Sequence, residues 1–261
     1  MPQSVGQALM RAARPPAAAP ARPRLLIAGA GGVLGAEVAR RLIGSGRYAQ
    51  AQVLLREPMQ VALRGVTPLT VPAALQHGPA GDDAPWPQTS ADVAVVMFEP
   101  PRALHQRERA FWTPEPARLP TLAAWLRRAG VRDLLVLTPH QSGRLPQALQ
   151  RGLADLDEAA VAALGFQRLL LLRAARDPAR AAGLAPLPRL AAWMLGTLRH
   201  MVPATERPLR AAQLARVAEA ALALAPPGAH VLGPALLHAA ARDQPAPVLR
   251  AHFGGLPRAA Q

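Results

Sequence analysis

The sequence has no cysteine, no lysine and no asparagine, and its one tyrosine is Tyr48. Without cysteine, the chain has no disulfide framework, no thiolate nucleophile and no cysteine-based zinc site. Without lysine, it has no Schiff-base residue, no P-loop lysine and no Tyr-x-x-x-Lys proton relay. The seven histidines include no H-x-x-x-H pair, so we predict no metal site. These absences exclude several common catalytic classes.

Long apolar runs are absent as well. No stretch approaches the ~20 residues that cross a bilayer, and the N-terminus lacks the apolar segment of a signal peptide, so we expect a cytoplasmic protein with no membrane partner. The 261 residues carry 30 basic side chains against 16 acidic ones, a formal net charge of +14. Because the arginines are dispersed and aromatic residues make up only 3% of the chain, base stacking has little support. We therefore expect an anionic small molecule rather than nucleic acid as the partner.

Apolar runs and helical patterns alternate along the chain. Short apolar runs typical of buried strands lie at 24–28, 51–55, 92–98, 132–138 and 167–173. Strands that alternate with helices indicate a parallel sheet covered on both faces. We predict an α/β protein with a Rossmann-like doubly wound parallel sheet and a small, mostly helical C-terminal part. Further helices are predicted from the glycine cluster to Gly44 and at 119–129, 147–164, 188–201 and 209–225, and further strands near 66–71 and at 229–232.

The sequence GAGGVLG at 29–35 connects the first predicted strand to the first predicted helix. Its glycines fit a G-x-x-G-x-x-G spacing at Gly29, Gly32 and Gly35, whereas G-x-G-x-x-G would need glycine in place of Leu34. Such glycines permit a tight bend, the close approach of a pyrophosphate and helix packing on the sheet, and the anion lies at the helix N-terminus. We predict a dinucleotide site here. The alternative is a tight connection without a ligand, which a side chain or another segment at the diphosphate position would favour.

The end of the second predicted strand decides which dinucleotide fits. An acid there binds the ribose 2′-hydroxyl, whereas an arginine accommodates a 2′-phosphate. Arg56 closes the strand and Glu57 follows, so we predict NADP(H) in preference to NAD(H). The predicted cofactor contacts are Gly29, Gly31, Gly32, Val33, Leu34, Gly35, Arg56, Phe98 and Thr138.

Four regions follow from composition and pattern. Residues 1–23 have no acidic residue and end in an Ala/Pro-rich stretch, so they are predicted to be a disordered tail. Residues 24–175 form the predicted dinucleotide-binding Rossmann domain. Residues 176–245 are predicted to be a C-terminal substrate or lid part packed on that domain, and residues 246–261 a second tail.

Five segments, at 24–35, 53–56, 92–98, 130–139 and 164–175, resemble the extended or atypical short-chain dehydrogenase/reductase superfamily. More narrowly, they resemble the small NmrA-like NAD(P)-binding proteins. The resemblance implies a Rossmann-like sheet, a dinucleotide across its carboxyl edge and a variable C-terminal part over the substrate.

The sequence departs from this family at the catalytic residues. Reductases of the family use a Ser/Thr after the fifth strand, a Tyr proton donor and a Lys four residues on. Thr138 matches the first position, but the helix predicted at 147–164 holds neither Tyr nor Lys, and Tyr48 precedes the second strand. His140 could serve as the acid because it follows a strand and imidazole titrates at ~6.5, although a solvent-facing loop histidine is the competing interpretation. Thr138 and His140 are thus the candidate catalytic residues, which are otherwise unknown.

A glycine loop without the relay favours a dinucleotide-binding sensor, regulator or assembly protein with an unknown small-molecule substrate or effector. The alternative is an atypical NADPH-dependent reductase, whose flavin or quinone acceptor needs no Tyr/Lys acid. The resemblance and the apolar character of the helices at 119–129 and 147–164 also favour a homodimer. Glu99 could contact the ligand, but it is rather expected to face solvent or to pair with Arg102, and His105 is expected to lie in the same loop.

Overall fold

The computed structural model describes residues 22–58, 65–76, 86–101, 105–140, 158–175, 208–242 and 244–255. In this part of the chain, seven parallel strands form one sheet in the order β3-β2-β1-β4-β5-β6-β7. This order, with helices on both faces, confirms the predicted Rossmann-like α/β class. The strands are β1 (Arg24–Ala28), β2 (Gln50–Leu55), β3 (Val66–Thr70), β4 (Val93–Met97), β5 (Asp133–His140), β6 (Arg168–Ala175) and β7 (Gly228–Leu232).

Helices cover both faces of the sheet. On one face, α1, α5, α6 and α7 enclose the larger core cluster, and on the other, α2 and α4 enclose the second cluster. A short turn of 3-10 helix precedes α4, and residues 158–163 are also helical. The helices are α1 (Gly32–Gly44), α2 (Ala73–Gln76), α3 (Gln106–Arg109), α4 (Leu119–Arg128), α5 (Ala211–Leu224), α6 (Pro234–Arg242) and α7 (Pro245–Gly254).

The central strands are apolar on both sides because both sides are covered. All five residues of β4 are buried, as expected for a parallel strand between two helical layers. Val95 and Met97 pack in the cluster on the α1 side, and Ala94 and Val96 in the cluster on the α4 side. The period-2 alternation of side chains therefore divides one apolar run between two cores.

The C-terminal part differs from the expectation at its end. The predicted helix at 209–225 and strand at 229–232 correspond to α5 and β7. Residues 246–261 were expected to be a tail, but α7 extends to Gly254, with Leu249 and Phe253 buried in the core. Leucine and phenylalanine four residues apart share one face of a helix, which is why this segment packs.

Two of the predicted elements bear on a homodimer. Leu122 and Leu126 of α4 are fully buried in the core of the chain itself, so they give no support to a homodimer, which stays a prediction. Most of the helix predicted at 147–164, and all of that at 188–201, lie outside the described residues. Among the residues that are described, no helix is long and apolar enough to cross a membrane.

Candidate functional site

The sheet order places a crevice beside β1. The chain leaves β1 toward β2 and β3 on one side, and returns to form β4 on the other side. In open α/β sheets, ligands bind outside the carboxyl ends of the strands at such a reversal of strand order. The glycine loop follows β1, and Phe98 and Glu99 follow β4, so both segments lie at this edge.

Two glycines of the loop are required by close packing. Gly29 has a φ of +82°, and a Cβ on it would lie 2.0 Å from the carbonyl oxygen of Met97 in β4. Gly35 lies in the first turn of α1, where a Cβ would lie 2.3 Å from the carbonyl oxygen of Gly29. No side chain fits at such distances, so these two residues bring β1, α1 and β4 together whether or not a ligand binds.

The side-chain carboxylate of Glu99 binds the N-terminus of α1. The N–H of Leu34 donates to Oε2 of Glu99 at 2.5 Å, and a Cβ on Gly32 would lie 2.7 Å from the same oxygen. Helix α1 has no side-chain cap at Gly31 and no acidic residue in its first turn. The Glu99 carboxylate therefore interacts with N–H groups and a helix dipole that otherwise attract an external anion.

The position of Glu99 corrects a sequence expectation. Glu99 was expected to face solvent or to pair with Arg102, and the pairing is not tested because Arg102 lies outside the described residues. Glu99 is half-buried rather than solvent-facing, and its carboxylate lies where the diphosphate was predicted. The signal that could have indicated this is its position two residues after β4, directly across the crevice from the glycine loop.

A second segment covers the loop. Residues 105–112, here called the cover segment, include α3 and end at Trp112. The N–H of Gly29 donates to the carbonyl of Trp112 at 3.0 Å, and the N–H of Trp112 donates to the carbonyl of Leu54 at 3.0 Å. The N–H of Arg56 donates to the carbonyl of Ala110 at 2.7 Å. The cover segment is thus hydrogen-bonded to the carboxyl ends of both β1 and β2.

The cover segment also contacts Gly31, in the middle of the glycine loop. A Cβ on Gly31 would lie 3.3 Å from the carbonyl oxygen of Glu108 and 3.7 Å from Cβ of Phe111, with Pro101 at 3.4 Å. Gly31 and Gly32 are both buried. The glycine loop is therefore closed in this structure, with the Glu99 side chain and the cover segment at the predicted diphosphate position. This is the arrangement that favours a tight connection without a ligand, so the dinucleotide site stays a prediction.

The other predicted cofactor residues lie at separate places in the fold. The side chain of Arg56 is exposed, and its carbonyl accepts a hydrogen bond from Nε2 of Gln76 at 2.8 Å. Phe98 packs in the cluster on the α4 side, away from α1. Thr138 is half-buried near the end of β5, opposite Arg173 of β6. Val33, the second residue of α1, is also half-buried.

Both candidate catalytic residues, Thr138 and His140, lie near the end of β5, and Tyr48 does not join them. His140 is the last residue of β5 and lies at the carboxyl edge, whereas Tyr48 lies at the amino edge. There Tyr48 lines a cavity of about 140 Å³ together with Asp133 and Arg168, which begin β5 and β6. Burial raises the pKa of Tyr48. The tyrosine therefore cannot replace the missing proton donor of the relay.

Arg168 and Asp133, which line that cavity, are hydrogen-bonded to each other. Arg168 donates through Nε to Oδ1 of Asp133 at 2.8 Å and through Nη2 to Oδ2. Its Nη1 donates to the carbonyl of Leu222 at 3.1 Å. This hydrogen bonding to Asp133 raises the pKa of Arg168, and the pair joins β5, β6 and α5. Among the described residues, no three His, Asp or Glu side chains come together as metal ligands.

Comparison with known proteins finds similarity at the level of fold. No protein-family model matches the chain, and no curated protein matches it. Solved structures that match include a Rossmann-fold NAD(P)-binding family protein from Shigella flexneri, with 16% identity, 58% of this chain and 66% of that chain covered, and a TM-score of 0.36. The PhqB reductase domain from Penicillium fellutanum matches with 15% identity, 90% and 74% coverage and a TM-score of 0.48.

The Bordetella bronchiseptica enzyme WbmG, solved in complex with NAD, matches with 14% identity, 94% and 84% coverage and a TM-score of 0.40. The matching structures include proteins described as NAD(P)-binding, as reductases and as an epimerase. Because the identities are low and the TM-scores lie below 0.5, the fold and the ligand of this chain rest on its own strand order and residues.

Proposed function

We propose that this chain is a dinucleotide-binding protein of Rossmann fold that lacks the usual catalytic relay and acts as a nucleotide-dependent sensor, regulator or assembly protein. One observation carries the proposal: the N–H of Leu34, at the start of α1, already binds an anion. In this fold, the diphosphate of a dinucleotide lies on the helix N-terminus that follows β1. The glycine loop has the turn and the helix N-terminus that such a ligand uses, and the Leu34 N–H becomes available to it when Glu99 leaves.

Binding requires the Glu99 carboxylate to leave. A diphosphate and a carboxylate cannot both accept from the N–H of Leu34, and two anions at contact distance repel one another. The exposed guanidinium of Arg56, at the end of β2, favours the 2′-phosphate of NADP(H). A regulator suits this arrangement, because a site that is closed without ligand and open with it has two conformations to report.

The absence of the relay favours a binding role over alcohol–ketone chemistry. The chain has no lysine, and its one tyrosine lies at the opposite edge of the sheet from the glycine loop. Alcohol–ketone reduction in this fold needs a group that donates a proton to the substrate oxygen. A reductase that delivers hydride to a flavin or quinone needs no such group, and consumption of NADPH with those acceptors would assign that activity instead.

A calorimetric titration with NADPH, NADH and NADP⁺ tests the proposal. We expect the wild-type chain to bind NADPH, and Gly32→Asp to bind it at least about tenfold more weakly, because a further carboxylate at the anion position repels the phosphate. Gly46→Asp is the matched control: Gly46 also has a positive φ, of +66°, and nothing lies within 4 Å of its Cβ position. This control should bind NADPH like the wild type.

The choice between the two nucleotides is tested at the end of β2. Arg56→Glu should weaken NADPH more than NADH, since only NADPH carries the 2′-phosphate. Arg47→Glu, at an exposed arginine near the amino edge, reverses the same charge away from the site and should leave the ratio unchanged. If the folded wild-type chain binds none of the three nucleotides, the proposal is wrong, and the glycine loop is a tight connection without a ligand.

A further inference from the structure

We propose that Glu99 is an autoinhibitory residue: its carboxylate takes the place of a ligand phosphate on α1, and the cover segment holds the site closed until the carboxylate is displaced. The identity of the ligand rests on the proposed function. The competition itself rests on the geometry of Glu99 and α1, and can be measured with a simpler anion.

The side chain at the N-terminus of α1 comes from outside the helix. The usual N-cap is the residue just before the helix, whereas Glu99 lies two residues after β4 and 65 residues away from Leu34 along the sequence. Gly31, at the cap position, provides no side chain. The residues of α1 thus provide no side chain for its anion position. Glu99, which follows β4, occupies that position instead.

Glu99 and the cover segment are connected through the chain. Glu99 follows the buried end of β4 at Met97, and Pro101, two residues later, packs over Gly31. The cover segment begins at His105, whose carbonyl accepts the N–H of Glu108 at 3.0 Å. Glu99 and the cover segment thus both contact the glycine loop, so a ligand that enters the anion position has to displace the first and meets the second.

The cover segment also carries a reporter. Trp112 is buried at its end, and its ring lies edge-on to Trp86, with 5.9 Å between centroids. Trp86 stacks on Trp125 of α4 at 4.8 Å. Opening of the segment would expose Trp112 to water and separate it from Trp86. Ligand binding should therefore shift the tryptophan fluorescence to longer wavelength.

The experiment compares the full-length wild type with Glu99→Ala and Glu99→Gln, using inorganic pyrophosphate and NADPH as separate titrants. Glu99→Ala removes the competing anion, and Glu99→Gln keeps the size of the side chain while removing its charge. Glu37→Ala is the control, because Glu37 lies on α1 and pairs with Arg40 on its surface, away from the anion position. Thermal melting followed by circular dichroism establishes that each variant is folded.

We expect Glu99→Ala to bind pyrophosphate about tenfold more tightly than the wild type or better, within the ~5–150-fold range of coupling between exclusive states. Glu99→Gln should lie between the two, and Glu37→Ala should match the wild type. The fluorescence shift should be complete at lower pyrophosphate concentration in Glu99→Ala than in the wild type.

The two titrants separate this inference from the proposed function. If both Glu99 variants gain affinity for pyrophosphate while no protein binds NADPH, the competition holds and the dinucleotide assignment fails. If the wild type binds NADPH and the Glu99 variants bind both titrants no better than it does, the competition is overturned and the dinucleotide assignment stands. If no variant binds either titrant, both are overturned.

Discussion

At the scale of single residues, the glycines of the loop are needed for two reasons, close packing and the anion position of α1. The sequence alone does not show which reason applies to which glycine. Gly29 and Gly35 are required by packing, since backbone oxygens occupy the space of a Cβ at both positions. Gly32 differs from them. It has a φ of +73° and lies beside the Glu99 carboxylate, at the anion position of α1. The spacing of the glycines was sufficient to predict the turn and its place in the chain. The occupant of the turn depends on where the Glu99 side chain points, which is fixed by tertiary contacts.

The packing role of Gly35 can be measured against another glycine of the same helix. Gly35→Ala should destabilise the fold by about 1–3 kcal/mol, because the new methyl group forces α1 away from β1. Gly44→Ala is the control: Gly44 ends α1 with nothing within 4 Å of its Cβ position. Alanine there should be neutral or stabilising by up to ~1 kcal/mol. Urea unfolding followed by circular dichroism measures both, and equal stability of the two variants would contradict the close approach at Gly35.

At the scale of elements, the strands of the sheet could be predicted because each is a short apolar run between breaks. The cover segment could not be predicted in this way. It pairs with β2 through one antiparallel bridge, between Phe111 and Leu55, and prolines at 100, 101, 114 and 116 surround it. A single bridge leaves no period-2 pattern in the sequence, so the contact depends on two distant segments meeting in the fold.

Helix α7 provides a test of an element that the sequence analysis missed. Leu249 is fully buried against α5 and α6, and Leu249→Ala should cost about 2–5 kcal/mol by leaving a cavity. Arg250 is its exposed neighbour, and Arg250→Ala should change the free energy of unfolding by less than ~0.5 kcal/mol. Denaturant titration measures both variants. If Leu249→Ala unfolds like Arg250→Ala, residues 245–254 contribute no packing and the expected tail is the better description.

At the scale of the whole molecule, the alternation of strands and helices in the sequence was sufficient to predict the parallel sheet. The order of the strands depends on how the chain crosses between them. The edge position of β3 can be explained from its sequence. Pro68 lies inside β3 and has no N–H to donate, so this strand can pair fully on one side only. Among the described residues, β3 pairs with β2 alone. Pro68 thus indicates an edge strand rather than the lack of a strand.

Ion pairs lie at the amino edge of the sheet. They matter for stability because the chain has a large positive net charge. Asp92 accepts the N–H of Arg24 at 2.8 Å and a hydrogen bond from Nη2 of Arg132 at 3.2 Å. The backbone hydrogen bond from Arg24 is the main reason that the pKa of Asp92 lies below its usual value, and the nearby guanidinium groups lower it further. In a chain with a formal net charge of +14, every carboxylate lost to protonation also increases self-repulsion.

Acid should therefore unfold the protein in a way that depends on Asp92. Because its pKa is lower in the folded than in the unfolded chain, Asp92 stabilises the fold fully above the unfolded value of ~3.9, and this contribution is lost as the pH falls through the folded value. Asp92→Asn should lower the free energy of unfolding by about 1 kcal/mol at pH 6, and the difference from wild type should shrink as the pH approaches 3. The exposed Glu57 gives the control, since Glu57→Gln removes the same charge without breaking these hydrogen bonds. Denaturant unfolding at constant ionic strength measures the three proteins, and a difference for Asp92→Asn that is constant from pH 6 to pH 3 would show that the amino edge gains nothing from this carboxylate's charge.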